Sequence, residues 1–278
     1  MTVAAFSGVV FLVSAAAGFL GALTGLGGGV VVTPVLTLLL AVDMHYAMGA
    51  SLVSVIATSS GAAAAYVKEG YSNVRAGMLL EIATTAGAVA GAHLTSKVPV
   101  PALAIVFGAV LLYSAWHSMT ELTARSAQAG DPLAERLKLN GSYPGPTGAV
   151  AYRVAHVKAG FSLMVGAGLI SGLLGIGSGA MKVVAMDQAM RIPFKVSTAT
   201  SNFMIGVTAA ASAGIYLRHG YIHPGLAMPV MLGVLGGSLM GARLLGRART
   251  RVLRSLFAVV IGVMALEMVY SGVTGGMR

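Results

Sequence analysis

The chain has 278 residues, of which 56% are hydrophobic and 9% charged, and its mean hydropathy is +0.85. Soluble globular proteins carry about 25% charged residues, so there is too little polar surface here to coat a soluble fold, and the composition specifies an all-α polytopic membrane protein. The absence of cysteine excludes disulfides and thiolate metal sites. The net charge of +10 reads as a mark of cytoplasmic loops rather than of nucleic-acid binding, because no basic stretch is interleaved with aromatics.

A membrane span needs about 20 apolar residues. The first apolar run, Val3 to Leu23, lacks a basic leader and continues past Ala15, Ala16 and Ala17, so it reads as a retained helix rather than a signal peptide. It ends at a Gly-rich break, Gly25-Leu26-Gly27-Gly28-Gly29. A short run with Pro34, Val30 to Val42, follows, and then spans over Tyr46–Val67, Ala76–Leu94 and Val100–Trp116. Such unbroken runs exclude the short alternating strands of a transmembrane barrel. Residues 121–156 are polar and contain Pro132, Pro144 and Pro146. They predict a cytoplasmic loop, with Asn140-Gly141 as the turn of a small hairpin between Leu137–Leu139 and Ala149–Val154. The order then repeats: Val157–Leu174, a second break Gly175-Ile176-Gly177-Ser178-Gly179, a short run Ala180–Met190, and spans over Val196–Leu217, Pro224–Leu245 and Leu253–Tyr270.

The two halves align at an offset of 150 residues. Gly18, Gly25, Gly27 and Gly29 fall on Gly168, Gly175, Gly177 and Gly179. Ser51 falls on Ser201, Thr58 on Thr208, Tyr66 on Tyr216, Gly70-Tyr71 on Gly220-Tyr221 and Phe107 on Phe257. We read a duplication, with repeats over 1–120 and 157–278 flanking the polar loop, and eight to ten membrane segments in all. If each short run crosses the membrane, the halves are inverted. One side then gathers Lys68, Arg75, the polar loop, Arg191, Lys195 and the Arg243–Arg254 cluster. If the short runs are re-entrant, the halves are parallel and the charge asymmetry is smaller. The positive-inside rule therefore selects inversion.

Paired Gly-interrupted apolar segments in two halves are a sequence pointer to a transporter binding site. A helix restarting after a break offers N–H groups and a positive dipole end to an anion. Candidate substrate-binding residues are therefore Gly27, Gly28, Gly29, Gly177, Ser178 and Gly179. Lys182 adds either a cation to that field or a side chain that snorkels to an interface. The stretch Ser197-Thr-Ala-Thr200-Ser201-Asn202-Phe203 contributes Thr200, Ser201 and Asn202 as donors or caps, and Ser51 is their first-half counterpart. Scattered spacings such as Gly87 and Gly91 read as close helix packing. Glu81 and Glu267 lie in apolar helices, and Glu81 is the candidate for coupling to protons or for neutralising a basic neighbour.

The motifs Gly25-Leu-Gly-Gly-Gly29, Gly175-Ile-Gly-Ser-Gly179 and Thr198-Ala-Thr-Ser-Asn-Phe-Met-Ile-Gly206, followed by Arg218-His-Gly-Tyr221, resemble the sulfite exporter TauE/SafE family of membrane permeases. The resemblance spans nearly the whole chain. It implies a secondary transporter for sulfite, organosulfonates or similar anions in the bacterial inner membrane. Ser178 stands where a further glycine fits that pattern. An anion channel of similar selectivity is the near alternative. An intramembrane serine hydrolase using Ser178 with His219 or His223 is the distant one, because its repeat mate is Gly28. No catalytic residue, cofactor or metal is expected. The expected partners are the small sulfur oxyanion and the lipid bilayer, with a homodimer one open arrangement.

Overall fold

The computed structural model describes residues 3–24, 27–68, 70–119, 130–145, 148–244 and 250–274. Gly25, the stretch 120–129, Arg247, Arg249 and Arg278 lie outside the described residues, as do the side chains of Tyr66, Arg251, Arg254 and Phe257. The first half contains α1 (Val3–Thr24), α2 (Gly29–Pro34), which runs on as a π-helical turn (Val35–Leu39), α3 (Met44–Lys68), α4 (Val74–Thr95) and α5 (Val100–Met119). The insertion holds α6 (Pro132–Arg136) and the strands β1 (Gly141–Gly145) and β2 (Gly148–Tyr152). The second half contains α7 (Val157–Leu174), α8 (Gly179–Val184) with its own π turn (Ala185–Ala189), α9 (Phe194–Arg218), α10 (Pro224–Leu244) and α11 (Thr250–Thr274).

The duplication extends to backbone detail. From α2 onward, every element of the first half starts 150 residues before its mate. The left-handed backbone also recurs: Gly27 and Gly177 both have φ +76°, Gly70 has +75° and Gly220 +73°, and Ala41 has +51° where Arg191 has +56°. Each π turn is closed by the same return bond, Val42 N–H to the Leu36 carbonyl and Ile192 N–H to the Met186 carbonyl, both 2.9 Å. Ala41 and Arg191 therefore hold a conformation that disfavours side chains because the returning chain demands it.

Small residues set how the helices meet. A Cβ added at Gly233, Gly237 or Gly241 would strike the carbonyls of Phe11, Ala15 and Phe19 in turn. Both sets advance in steps of four, so α1 and α10 run side by side in the same direction with backbones in contact. Gly87 and Gly91 meet Val165 and Leu169, while Gly168 and Gly172 meet Thr84 and Ala88, so α4 and α7 also run in one direction. Gly49 meets Tyr221 and Gly61 meets Leu235 and Ser238, which sets α3 parallel to α10. Asn73 reaches Thr200 and Glu81 reaches Thr208, which sets α4 parallel to α9. Gly108 lies against Ala265 and Gly272 against Pro101, so α5 and α11 are antiparallel. The pairing α1–α10 is thus echoed by α7–α4, and α3–α10 by α9–α4. Each half lends its fourth helix to the other.

Among the described residues, α4, α7, α10 and Ala5–Leu23 of α1 are long and apolar enough to cross a membrane. α3 and α9 have 25 residues each and carry several hydroxyl side chains. Their hydroxyls (Ser51, Ser54 and Thr58 on α3, Ser197, Thr200 and Ser201 on α9) are buried inside the molecule, while α11 turns Val259, Val263, Leu266, Tyr270 and Val273 outward.

The insertion corrects one expectation. Its hairpin pairs Gly141 with Tyr152 through to Gly145 with Gly148. Asn140-Gly141 is therefore not the turn of this hairpin, and β1 is 141–145 rather than Leu137–Leu139. The reason is local: Pro132 starts α6, residues 137–139 close it, and the Asn140 side chain accepts the Val154 N–H at 2.8 Å. The Asp131 carboxylate accepts from Val157 N–H (2.8 Å) and Leu133 N–H (2.9 Å), which caps both α7 and α6 and holds its pKa below the ordinary value. The Asn73 amide donates to the Leu139 carbonyl (2.7 Å) and the Tyr152 hydroxyl (2.8 Å). Burial pushes the Tyr152 phenol pKa up. The insertion is thereby fastened to the starts of α4 and α7.

Candidate functional site

The two breaks converge. A Cβ at Gly27 would lie 3.1 Å from Ile205, and one at Gly177 would lie 2.6 Å from Val55. Val55 and Ile205 are repeat mates in α3 and α9, and both are fully buried. The left-handed glycines let each chain pass between the long helices where a side chain would collide. Gly28 fits against Gly18 and Val234, and Gly29 against Ser51 and Val55.

Around this crossing the polar atoms are unevenly satisfied. The Gly28 N–H donates to Thr58 Oγ1 at 3.4 Å, and Thr58 donates to the Ser54 carbonyl at 2.9 Å. Ser201 Oγ donates to the Gly179 carbonyl at 3.2 Å. Its mate Ser51 is buried beside Gly29, with no hydrogen-bond partner for Oγ among the described residues. Ser178 precedes α8 with φ +51°, does not cap it, and has a buried, unpartnered Oγ. Asn202 donates its amide N–H groups to the Ala22 and Thr198 carbonyls, both at 3.2 Å, and its Oδ1 is unpartnered, as is Thr198 Oγ1. An orphaned buried polar group costs about 1–3 kcal/mol. Four such groups lie on the elements that cross here.

Lys182 is also fully buried, so it does not snorkel. Its Nζ lies 3.2 Å from Glu81 Oε2 and donates to Thr208 Oγ1 at 2.5 Å. Thr208 donates to Glu81 Oε1, Thr84 to Oε2 at 3.1 Å and Thr85 to Oε1 at 3.0 Å. A buried ion pair persists only when its remaining lone pairs and protons are satisfied, and three threonines do this here. The repeat mates of Lys182 and Glu81 are Val32 and Met231, so the pair belongs to one face of an otherwise duplicated core.

The structure therefore brings together Gly27, Gly28, Gly29, Ser51, Gly177, Ser178, Gly179, Ser201 and Asn202, and joins Lys182 to Glu81. Thr200 stands apart. Its Oγ1 accepts the Asn73 N–H at 2.9 Å, in the cap that ties α9 to α4 and the insertion. Glu267 is exposed and lines a cavity of about 600 Å³ with Asp43, Thr37 and Tyr270, away from the breaks. Among the described residues Ser178 Oγ has no hydrogen-bond partner, histidine included. His219 Nδ1 is engaged by the Ile215 carbonyl at the far end of α9, so a nucleophile–base pair is not formed. No cluster of metal-ligating side chains occurs among the described residues. Thr58, Thr198 and Thr208 are additions to the sequence-derived set. The Thr58–Thr208 repeat pairing was the available signal for two of them.

The fold is a multi-pass helical bundle whose two broken helices cross among buried polar atoms, and the comparisons with known proteins make it a membrane transporter. The chain belongs to the sulfite exporter TauE/SafE family, whose model matches residues 10–268. It is similar to the probable membrane transporter protein YunE of Bacillus subtilis (strain 168), with 24% identity over 264 residues, covering 92% of this chain and 95% of the relative. It is also similar to the probable membrane transporter protein YdhB of the same organism, at 26% identity, 94% of this chain and 98% of the relative. A probable membrane transporter protein of Xylella fastidiosa (strain 9a5c) is 25% identical over 256 residues, 91% of each chain. No solved structure matches the chain.

Proposed function

We propose that this chain is a secondary permease that carries small sulfur-containing anions, such as sulfite or organosulfonates, across the bacterial inner membrane by alternating access. The observation that carries the reading is the convergence of both Gly breaks on Val55 and Ile205, beside the orphaned oxygens of Ser51, Ser178 and Asn202. Gly27, Gly28, Gly29, Gly177, Gly179 and Ser201 form the backbone cradle, with Thr200 as a more remote support.

The halves act as inverted repeats. Support comes from the helix directions. α3 runs parallel to α10, and the five residues between α9 and α10 force those two helices to run oppositely. Hence α3 opposes its own mate α9. One bundle is α1, α2, α3 and α10, the other α7, α8, α9 and α4, and rocking one against the other exposes the crossing to either side. In this reading Lys68, Arg75, the insertion, Arg191 and Lys195 face the cytoplasm. Glu81 is the coupling group: protonation would free Lys182 from its partner and add positive charge to the core.

Flux assays in proteoliposomes test this, with sulfite, sulfonates, sulfate and chloride, with and without a pH gradient. Sulfite flux above empty vesicles, steepened by the gradient in the native chain and indifferent to it in Glu81→Gln, is the expected result. No anion flux above empty vesicles overturns the permease reading.

A further inference from the structure

One half-satisfied polar group of the core has a definite chemical sense. Asn202 is fully buried, and both hydrogen bonds of its amide nitrogen go to main-chain carbonyls, Ala22 at the end of α1 and Thr198 one turn earlier on α9. A carboxamide flipped about its last bond would set its oxygen against those two carbonyls, acceptor to acceptor. The orientation is therefore fixed, and the end left without a partner is an acceptor, Oδ1. The other orphans at the breaks, Ser51 Oγ and Ser178 Oγ, are hydroxyls that can donate. A bare anion such as a fully deprotonated oxyanion satisfies hydroxyls but repels a carbonyl oxygen. The repeat mate of Asn202 is Leu52, so duplication does not explain the amide. Capping does not explain it either, because α9 begins at Phe194, eight residues earlier.

We propose that Asn202 Oδ1 reads a hydrogen-bond donor on the transported anion. This rests on the permease reading and narrows its substrate class: sulfur–oxygen acceptors at one end, met by Ser51 and Ser178, and an O–H or N–H met by Asn202. Two sources have this chemistry, a monoprotonated inorganic oxyanion such as hydrogensulfite and a sulfonate carrying a hydroxyl or ammonium group. Asn202 is then a specificity-determining residue. A site built around a donor strongly rejects the analogue lacking it, because the buried acceptor is left unpaired.

The test is competition against labelled sulfite flux in proteoliposomes containing the full chain. The organic arm compares 2-hydroxyethanesulfonate with ethanesulfonate, which differ by one hydroxyl. The inorganic arm compares hydrogensulfite with methanesulfonate, which has a similar head and no donor. A preference of about tenfold or more for the donor-bearing member of a pair is expected, and the arm in which it occurs identifies the source. Asn202→Leu, the residue of the other repeat, is expected to shrink that ratio to about twofold or less. Equal competition in both arms by the native chain overturns the inference while leaving the permease reading standing, and this comparison needs no variant to fold. An undiminished ratio in a well-folded Asn202→Leu also overturns it. Absence of any anion flux overturns the permease reading and this inference together.

Discussion

Lys182 and Glu81 show how residue type and residue environment part company. A lysine in a short apolar segment has two obvious uses, meeting an anion or reaching for the interface, and the full burial of Lys182 removes the second. Each charge is held by the other and by the hydroxyls of Thr84, Thr85 and Thr208. Removing one member of such a pair leaves an uncompensated buried charge, at a cost of about 3–5 kcal/mol, whereas replacing both with well-packed apolar groups is often neutral. The other repeat supplies the replacements, Val32 and Met231. Lys182→Val and Glu81→Met should each lower the thermal transition sharply, and the double variant should recover most of the loss while losing the pH response of flux. Thermal unfolding in detergent measures the first point and proteoliposome flux the second. Two of the three hydroxyls would not be stranded, because Thr84 and Thr208 also reach the carbonyls of Leu80 and Met204.

At the scale of elements, glycine divides into two populations with different work. Gly27 and Gly177 supply left-handed turns at the breaks, whereas Gly87, Gly91, Gly168, Gly172, Gly233, Gly237 and Gly241 let helices touch. A Cβ at Gly172 or Gly237 would overlap the carbonyl of Ala88 or Ala15, while one at Gly166 or Gly236 meets nothing within 4 Å. Gly172→Ala and Gly237→Ala are therefore expected to destabilise the bundle by about 1–3 kcal/mol through overpacking. Gly166→Ala and Gly236→Ala should be neutral or stabilising, since alanine is the better helix former by about 1 kcal/mol. Thermal shift of the purified protein separates the two classes. The helices themselves were legible as apolar runs, to within a few residues, because lipid demands about 20 apolar residues per span. The hairpin turn was misread because Asn140-Gly141 is a strong local turn signal that here serves β1 and a side-chain hydrogen bond.

The whole molecule is two copies of one motif that have exchanged their fourth helices. Its orientation can be measured on the native background because the chain has no cysteine. Lys68 and Arg218 are repeat mates at the ends of α3 and α9, and both are exposed. Lys68→Cys should be reached by a membrane-impermeant thiol reagent only after the cells are opened, and Arg218→Cys in intact cells. Labelling of both from the same side would make the halves parallel and dismantle the rocking-bundle reading. The exchange of α4 and α10 also means that neither repeat encloses its own break: α1 lies against α10 and α7 against α4, so each half is completed only by the other.

The sequence alone determined that the chain is a helical membrane protein, that it is duplicated at an offset of 150 residues, and that the duplication is interrupted at two Gly breaks. These follow from composition and periodicity, which act along the chain. Only the tertiary structure decided which helices are neighbours, that the breaks meet at Val55 and Ile205, that Lys182 is committed to Glu81, and that Thr200 serves a cap. Each of these depends on groups far apart along the chain being brought within hydrogen-bond or van der Waals reach. A pattern along one chain records that a charge or a glycine is present, and packing decides what it faces.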